Sequence, residues 1–191
     1  MIFLIKYARI YNRFLLLNGG IHMRNEYLEC GQIMRAHGIN GAMVVRHFCD
    51  SYEVFESLEN VYLKTENGYT KLKVKGCTPY KTNLLLMVDK IKTPEEVTRI
   101  RLNYLYARRE DILKDEGDYF IVDLIGLPII DAVTGEKYGI LDDVINQGAQ
   151  DIYKIKREGK GDAYIPVVDE FVKEIVLDKA IYITPIEGML D

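Results

Sequence analysis

Residues 31–45, GQIMRAHGINGAMVV, set three glycines and a histidine between two strand-like runs. The interruption Ala36-His37-Gly38-Ile39-Asn40-Gly41 admits three readings: a phosphate loop, a metal site, or a sharp turn at the corner of a small barrel. The first fails because the glycines lead into Ala42-Met43-Val44-Val45, not into Gly-Lys-Ser/Thr and a helix. Without helix N–H groups no anion site is assembled. Gly159-Lys160-Gly161-Asp162 fails for the same reason. The second lacks ligands. His37, His47 and Cys49 are near in sequence but have no recognised ligand spacing, and the chain holds three histidines in all. Zinc asks for four convergent N or S donors. The sequence therefore predicts no metal and no cofactor. The turn survives. Gly38 and Gly41 bracket a short loop, glycine admits positive φ and close approach, and Gly31 inside the first run suits a bulge or bend.

Working outward, the chain reads as strands. Tyr27–Arg35 and Ala42–Phe48 flank the turn. Asn60–Thr65 and Tyr69–Lys75 are joined through Glu66-Asn67-Gly68, where Asn and Gly both tolerate positive φ. In YTKLKVKG, Thr70, Leu72 and Val74 are expected on one face and Lys71, Lys73 and Lys75 on the other, a half-buried strand with a cationic outer row. Asn83–Asp89 reads as a central strand. Thr93-Pro94-Glu95-Glu96 announces a helix, with an N-cap, a proline in the first turn and a glutamate three residues after the cap. Its apolar stripe is expected at Val97, Ile100 and Leu102, its end near Asn103, and the YLYARRE run after it is extended. The second half suggests strands at 119–125, 127–131, 138–146, 151–157, 163–167, 174–177 and 181–186, with one helical turn at 168–172.

Charge divides the chain. Residues 23–109 carry 14 basic and 10 acidic side chains, whereas residues 110–191 carry 8 basic and 19 acidic, so the net charges are +4 and −11. A shift that large argues for two domains with different partners. The expected organisation is an extension at 1–22, a barrel at 23–109, an acidic linker at 110–118 and a second barrel at 119–191. The extension carries Lys6, Arg9 and Arg13 without an acidic residue; its apolar runs are too broken to span a bilayer, and Met23 is expected to be the true start, with residues 1–22 a non-native or disordered extension. An amphipathic basic anchor is the other reading of it. Cys30, Cys49 and Cys77 are odd in number and far apart, which suits small buried hydrophobes in a reducing cytoplasm.

No catalyst can be assembled. Asp142-Asp143 are adjacent in a strand, so their side chains are expected on opposite faces, unfit for shared acid–base work. No Ser-His-Asp or Cys-His arrangement is present with any specificity.

GQIMRAHGINGAMVV resembles the N-terminal signature of the ribosome maturation factor RimM family. DYFIVDLIGLPIID, GEKYGILDDVINQGAQDIYKIK, YIPVVDEFVKEIVLD and EGML resemble, in order, that family's C-terminal PRC-barrel domain. The likeness runs from about residue 25 to residue 190 and leaves 1–22 outside. It implies an all-β protein of two small barrels, a six-stranded translation-factor-like barrel followed by a PRC barrel. It further implies a non-catalytic, monomeric, cytoplasmic assembly factor for the 30S subunit, supporting 16S rRNA processing and binding the nineteenth ribosomal protein of the subunit head. The family's partner-binding aromatic pair falls on Tyr119 and Phe120, where the family has Tyr-Tyr, so one hydroxyl is missing.

The charge division stands beside this. An acidic second domain suits a very basic protein. The basic first domain offers Arg35, His37, Arg46, Lys71, Lys73, Lys75, Arg108 and Arg109 as candidate rRNA contacts, with Gly31, Gly38 and Gly41 shaping the loop. Two other readings remain open: a barrel enzyme or carrier holding a flavin or other small ligand, and a PRC-type docking module of a non-ribosomal complex.

Overall fold

The computed structural model describes residues 25–49, 52–112, 119–146 and 150–190. The extension at 1–22 and residues 113–118 of the expected linker lie outside them. The chain divides into two compact units, within 23–118 and 119–191.

In the first unit, β1 (Tyr27–His37), β2 (Ala42–His47), β3 (Asn60–Thr65), β4 (Gly68–Tyr80), β5 (Asn83–Val88) and β6 (Tyr104–Arg108) close in the order β1-β2-β5-β4-β3-β6, with β6 pairing back onto β1. Closure leaves no unpaired edge. Alternation turns Ile33, Met43, Val45, Val61, Leu86 and Leu105 inward, all fully buried. Register shifts reset that alternation, two in β1 and one in β4. In β1 the register with β6 shifts between Glu29 and Gly31, so the buried positions pass from Leu28 and Cys30 to Ile33. In β4 the shift lies between Val74 and Gly76, so Leu72 and then Cys77 are buried although they differ in parity. At Gly31 a Cβ would stand 2.8 Å from Val45 Cγ1 and 3.3 Å from Phe55 Cε2, so the bulge needs glycine to let both side chains in. All three cysteines are buried.

The β3–β4 turn differs from expectation. Thr65 pairs with Gly68, the loop is Glu66-Asn67, and of the expected pair only Gly68 has positive φ (+112°). Thr70 is exposed although Leu72 is buried, because the hairpin tip projects past the core. Two helices serve this barrel. The sequence reading missed α1 (Tyr52–Glu56), a single short turn anchored by the fully buried Phe55. α2 (Pro94–Arg99) starts at a capping box: Glu96 N–H donates to Thr93 Oγ1 at 3.3 Å, and Thr93 N–H to Glu96 Oε2 at 3.1 Å. It ends earlier than expected, and Leu102 belongs to no buried stripe; it lies in a following turn and is exposed. A 3-10 turn (Arg109–Asp111) closes the unit, with Ile112 buried behind it.

The second unit begins with a correction. Residues 121–124 form a helical turn, α3 (Ile121–Leu124), where a strand was expected. A short apolar run cannot be told apart as helix or strand by periodicity. Here Phe120 takes an extended conformation at the N-cap, Asp123 N–H donates to Phe120 O at 2.9 Å, and Gly126 (φ +87°) ends the turn. There follow β7 (Pro128–Asp131), β8 (Lys137–Asn146), β9 (Asp151–Lys156), β10 (Ala163–Pro166), β11 (Val172–Val176) and β12 (Ala180–Ile183). They form a six-stranded sheet ordered β10-β9-β8-β7-β12-β11, antiparallel except for β7 with β12. Ile129, Leu141, Tyr153, Ile155, Ile165 and Ile181 make its core. Where a helical turn was expected the chain makes a non-helical turn into β11, with the Phe171 and Val172 N–H groups both donating to Val168 O, at 2.9 and 2.8 Å. A register shift between Leu141 and Asp143 puts both Asp142 and Asp143 at exposed positions, not on opposite faces, because the bulge breaks the alternation between them.

Candidate interaction surfaces

On the first barrel, the outward side chains of β1, β3, β4 and β6 gather into a layer of their own. Register lines up Lys71 with Tyr62, Tyr62 with Tyr106, and Tyr106 with Glu29. Tyr62 and Tyr106 point out of the barrel yet are only 4% and 7% exposed. Other rings cover them. Tyr27 stacks on Tyr69 at 3.9 Å, Tyr27 meets Tyr62 edge-on at 5.1 Å, and Tyr69 meets Tyr106 edge-on at 5.1 Å. The Arg108 guanidinium lies 5.8 Å from the centroids of both Tyr27 and Tyr62. Such edge and stacked pairs add to the area they bury.

Glu29 sits under this layer. It accepts a hydrogen bond from Tyr106 Oη at 3.1 Å, and burial pushes its pKa above the usual carboxylate range against the opposing effects of that bond and of Lys64. Burial, then the Glu29 charge, raises the Tyr106 phenol. The rim is cationic: Lys64, Lys71, Lys73 and Lys75 are exposed. A rigid aromatic plate with a basic border is suited to holding a polyanion and stacking on it.

The sequence-predicted residues fall into separate groups. Lys71 borders the tyrosine layer through Tyr62, and Lys73 and Lys75 follow it on β4. Arg108 is inside the layer, but its charge is shared with Glu26 at 3.7 Å and Glu110 at 3.0 Å. Arg109 donates from Nε to Asn25 O at 3.1 Å. Arg35 and His37 are elsewhere, at the far end of β1. Arg35 donates to Ala36 O at 3.2 Å, and the His37 ring lies 5.1 Å from that of Tyr80. In the adjoining loop Gly38 and Gly41 both have positive φ, +65° and +69°. Sequence reasoning missed the tyrosine layer and Glu29. The period-two pattern of TyrLeuGlu, ValTyrLeu and LeuTyrAla carried a faint signal, since the tyrosines occupy the outward phase in three strands.

In the second unit Tyr119 is half-buried and Phe120 is buried at the start of α3. Three of the basic side chains here are held by partners within the unit. Lys154 bridges Asp142 at 2.7 Å and Asp162 at 3.2 Å, Arg157 donates to Gly161 O at 2.7 Å and to Leu190 O, and Lys173 donates to Asp169 O at 2.8 Å. Carboxylates outnumber the basic side chains of the second half of the chain by 19 to 8, and that excess sets its field. Asp131 anchors the turn after β7. It accepts from Val133 N–H and Thr134 N–H at 2.8 Å each and from Tyr138 Oη at 2.6 Å, and these bonds, the phenol first, lower its pKa to about 2. Among the described residues no group of three or more His, Cys, Asp or Glu is placed to hold a metal ion, and no helix is long and apolar enough to cross a membrane.

Comparison with known proteins matches residues 28–112 to the RimM N-terminal domain and residues 121–189 to the RimM PRC barrel domain. The chain belongs to the RimM family. Among its relatives is the ribosome maturation factor RimM of Clostridium perfringens, 35% identical over 162 residues that cover 84% of this chain and 94% of the relative. The ribosome maturation factor RimM of Clostridioides difficile is 33% identical over 168 residues, 86% of this chain and 96% of that one. A crystal structure of a RimM from Pseudomonas aeruginosa aligns with 84% of this chain and 98% of its own at 17% identity and a TM-score of 0.42. The two family domains coincide with the closed barrel and the six-stranded sheet, so the family's two-barrel, all-β architecture holds for this chain.

Proposed function

We propose that this protein is a cytoplasmic, monomeric maturation factor of the small ribosomal subunit that works by binding and performs no bond chemistry. Its acidic second unit, entered through half-buried Tyr119 with the buried Phe120 packed behind it, grips a strongly basic protein of the subunit head, the nineteenth. Its first unit meets the neighbouring immature 16S rRNA through the lysine-bordered tyrosine face. The observation that carries the reading is the opposition of charge between two units of one chain, +4 for residues 23–109 against −11 for residues 110–191. A single partner of one charge would not draw both; a nascent ribosomal head offers a polycation and a polyanion side by side. Membership of a family whose relatives are named ribosome maturation factors supports it. The proposed domain plan keeps a connecting segment between the units and leaves residues 1–22 outside them.

The test is co-sedimentation of the tagged full chain with small-subunit precursors, together with its direct binding to the purified head protein at low and high salt. Tyr119→Ala is expected to weaken the protein–protein arm alone. Absence of the chain from precursor particles, or head-protein binding indifferent to salt, refutes the reading.

A further inference from the structure

Three described residues other than glycine have positive φ: Lys81, Leu102 and Asp178. Lys81 and Asp178 are polar residues in tight hairpin turns. Leu102 is neither polar nor buried; it has φ +67° and is 54% exposed. Left-handed backbone is unfavourable for a residue with a side chain, and no core contact repays it here. The surroundings hold it there. Leu102 N–H donates to Ile33 O at 2.8 Å, Ile33 N–H to Asn103 O at 3.0 Å, Gln32 Nε2 to Leu102 O at 3.0 Å and Arg101 Nε to Met34 O at 3.1 Å. These bonds hold the left-handed turn that follows α2 and leave the apolar Leu102 side chain facing solvent.

The same Gln32 amide positions a cation. Its Oε1 accepts from Arg46 Nη2 at 3.0 Å, and the Arg46 guanidinium rests over the Phe48 ring at 5.5 Å. Phe48 in turn lies 6.1 Å from Tyr104, which is 38% exposed. Strand register places Tyr104, Gln32 and Arg46 in one row across β6, β1 and β2. The other N–H groups of Arg46 have no partner among the described residues. The result is a fixed guanidinium fork beside an exposed aliphatic side chain and a half-open aromatic ring.

We infer that Leu102, Tyr104 and Arg46 form a site for single-stranded RNA, Arg46 taking a phosphate and Tyr104 with Leu102 taking the face of an unpaired base. The inference rests on the proposal that the first unit meets rRNA. A single strand supplies both anion and flat apolar face at each nucleotide, whereas a duplex hides its bases and an acidic peptide lacks them. Tyr104 and Tyr106 share the outward phase of β6, so the site continues the lysine-bordered tyrosine face along which a polyanion would run.

The test uses the full chain and three probes: a short fluorescein-labelled single-stranded RNA of mixed sequence, the same strand annealed to its complement, and a polyglutamate peptide. The single strand is expected to bind most tightly. Leu102→Gly is expected to weaken it about tenfold while holding or raising the melting temperature, since glycine relieves the strain. Arg46→Gln is expected to weaken it and to flatten the salt dependence by about one charge. The inference is overturned if both variants bind the single strand as the parent does, if duplex or polyglutamate competes equally, or if Leu102→Gly melts below the parent. If the parent chain binds no RNA, the proposed rRNA contact of the first unit falls as well.

Discussion

Gly41→Ala is the sharpest probe of how the 38–41 turn is built. Gly41 has φ +69°, and a Cβ on it would lie 2.6 Å from Ile91 O, Lys92 C and Lys92 Cα. All three atoms are backbone, so no rotamer change can relieve the clash. Gly38, three residues earlier, has φ +65° but nothing within 4 Å of its would-be Cβ. The pair separates two effects of adding one methyl group. Left-handed strain alone costs about 1 kcal/mol and applies to both positions. Forcing the β1–β2 turn off the 91–92 backbone adds about 2 kcal/mol at Gly41 only, by the measure of overpacked cores. Gly38→Ala should therefore lose about 1 kcal/mol and Gly41→Ala about 3 kcal/mol. In a unit of this size that is a fall in melting temperature of roughly 4–8 °C against roughly 12–24 °C. Urea denaturation followed by circular dichroism, with hydrogen exchange of residues 27–48 to assign the transition to the first unit, measures both. Equal losses at the two positions would refute the claim that close backbone packing, rather than φ alone, requires glycine at 41.

Other outcomes follow from the same contacts. Asp131 has a folded pKa of about 2, below its ordinary 3.8, so its turn contributes stability above pH 3.8 that is lost as pH falls through 2; Asp131→Asn should remove that acid-side slope from pH-dependent melts. Tyr106→Phe deletes the hydroxyl that donates to buried Glu29 and should destabilise the first unit by about 1–3 kcal/mol in denaturant titrations, with a further rise in the Glu29 pKa by carboxylate NMR; an unmoved titration would show the bond to be idle. Burial raises the thiols of Cys30 and Cys77, the latter to about 11, so a thiol reagent at mildly alkaline pH should label no cysteine in the native chain and all three after unfolding.

Much of this protein could be read from its residues because the relevant forces are local. Apolar and β-branched runs bounded by polar turn residues located β3, β5 and β9 to within a residue or two, since a strand's composition and length are local signals. Thr93 through Glu96 located the start of α2, because a capping box is complete within four residues. Where local signals tie, the reading failed. The run after Phe120 is short and apolar, and only the packing around it made it a helical turn. Leu102 fitted a helical stripe in one dimension and stands exposed in three. The candidate surfaces were legible only in part. The lysines of β4 could be named from their phase, but nothing in the chain order joins Glu29 to Tyr106 or Gln32 to Leu102, partners separated by 77 and 70 residues.

By itself, then, the order of residues determined the strand content, the glycine turn, the split of charge and the family. Barrel closure and the register shifts in β1 and β4 decided the rest: which outward tyrosines shield one another, which lysine borders them, and which arginine keeps donors without a partner among the described residues. The reason is physical. A strand's face is set by its own sequence, but its neighbours and its register are set by burying the other strands, and a single bulge transfers every later side chain to the opposite face.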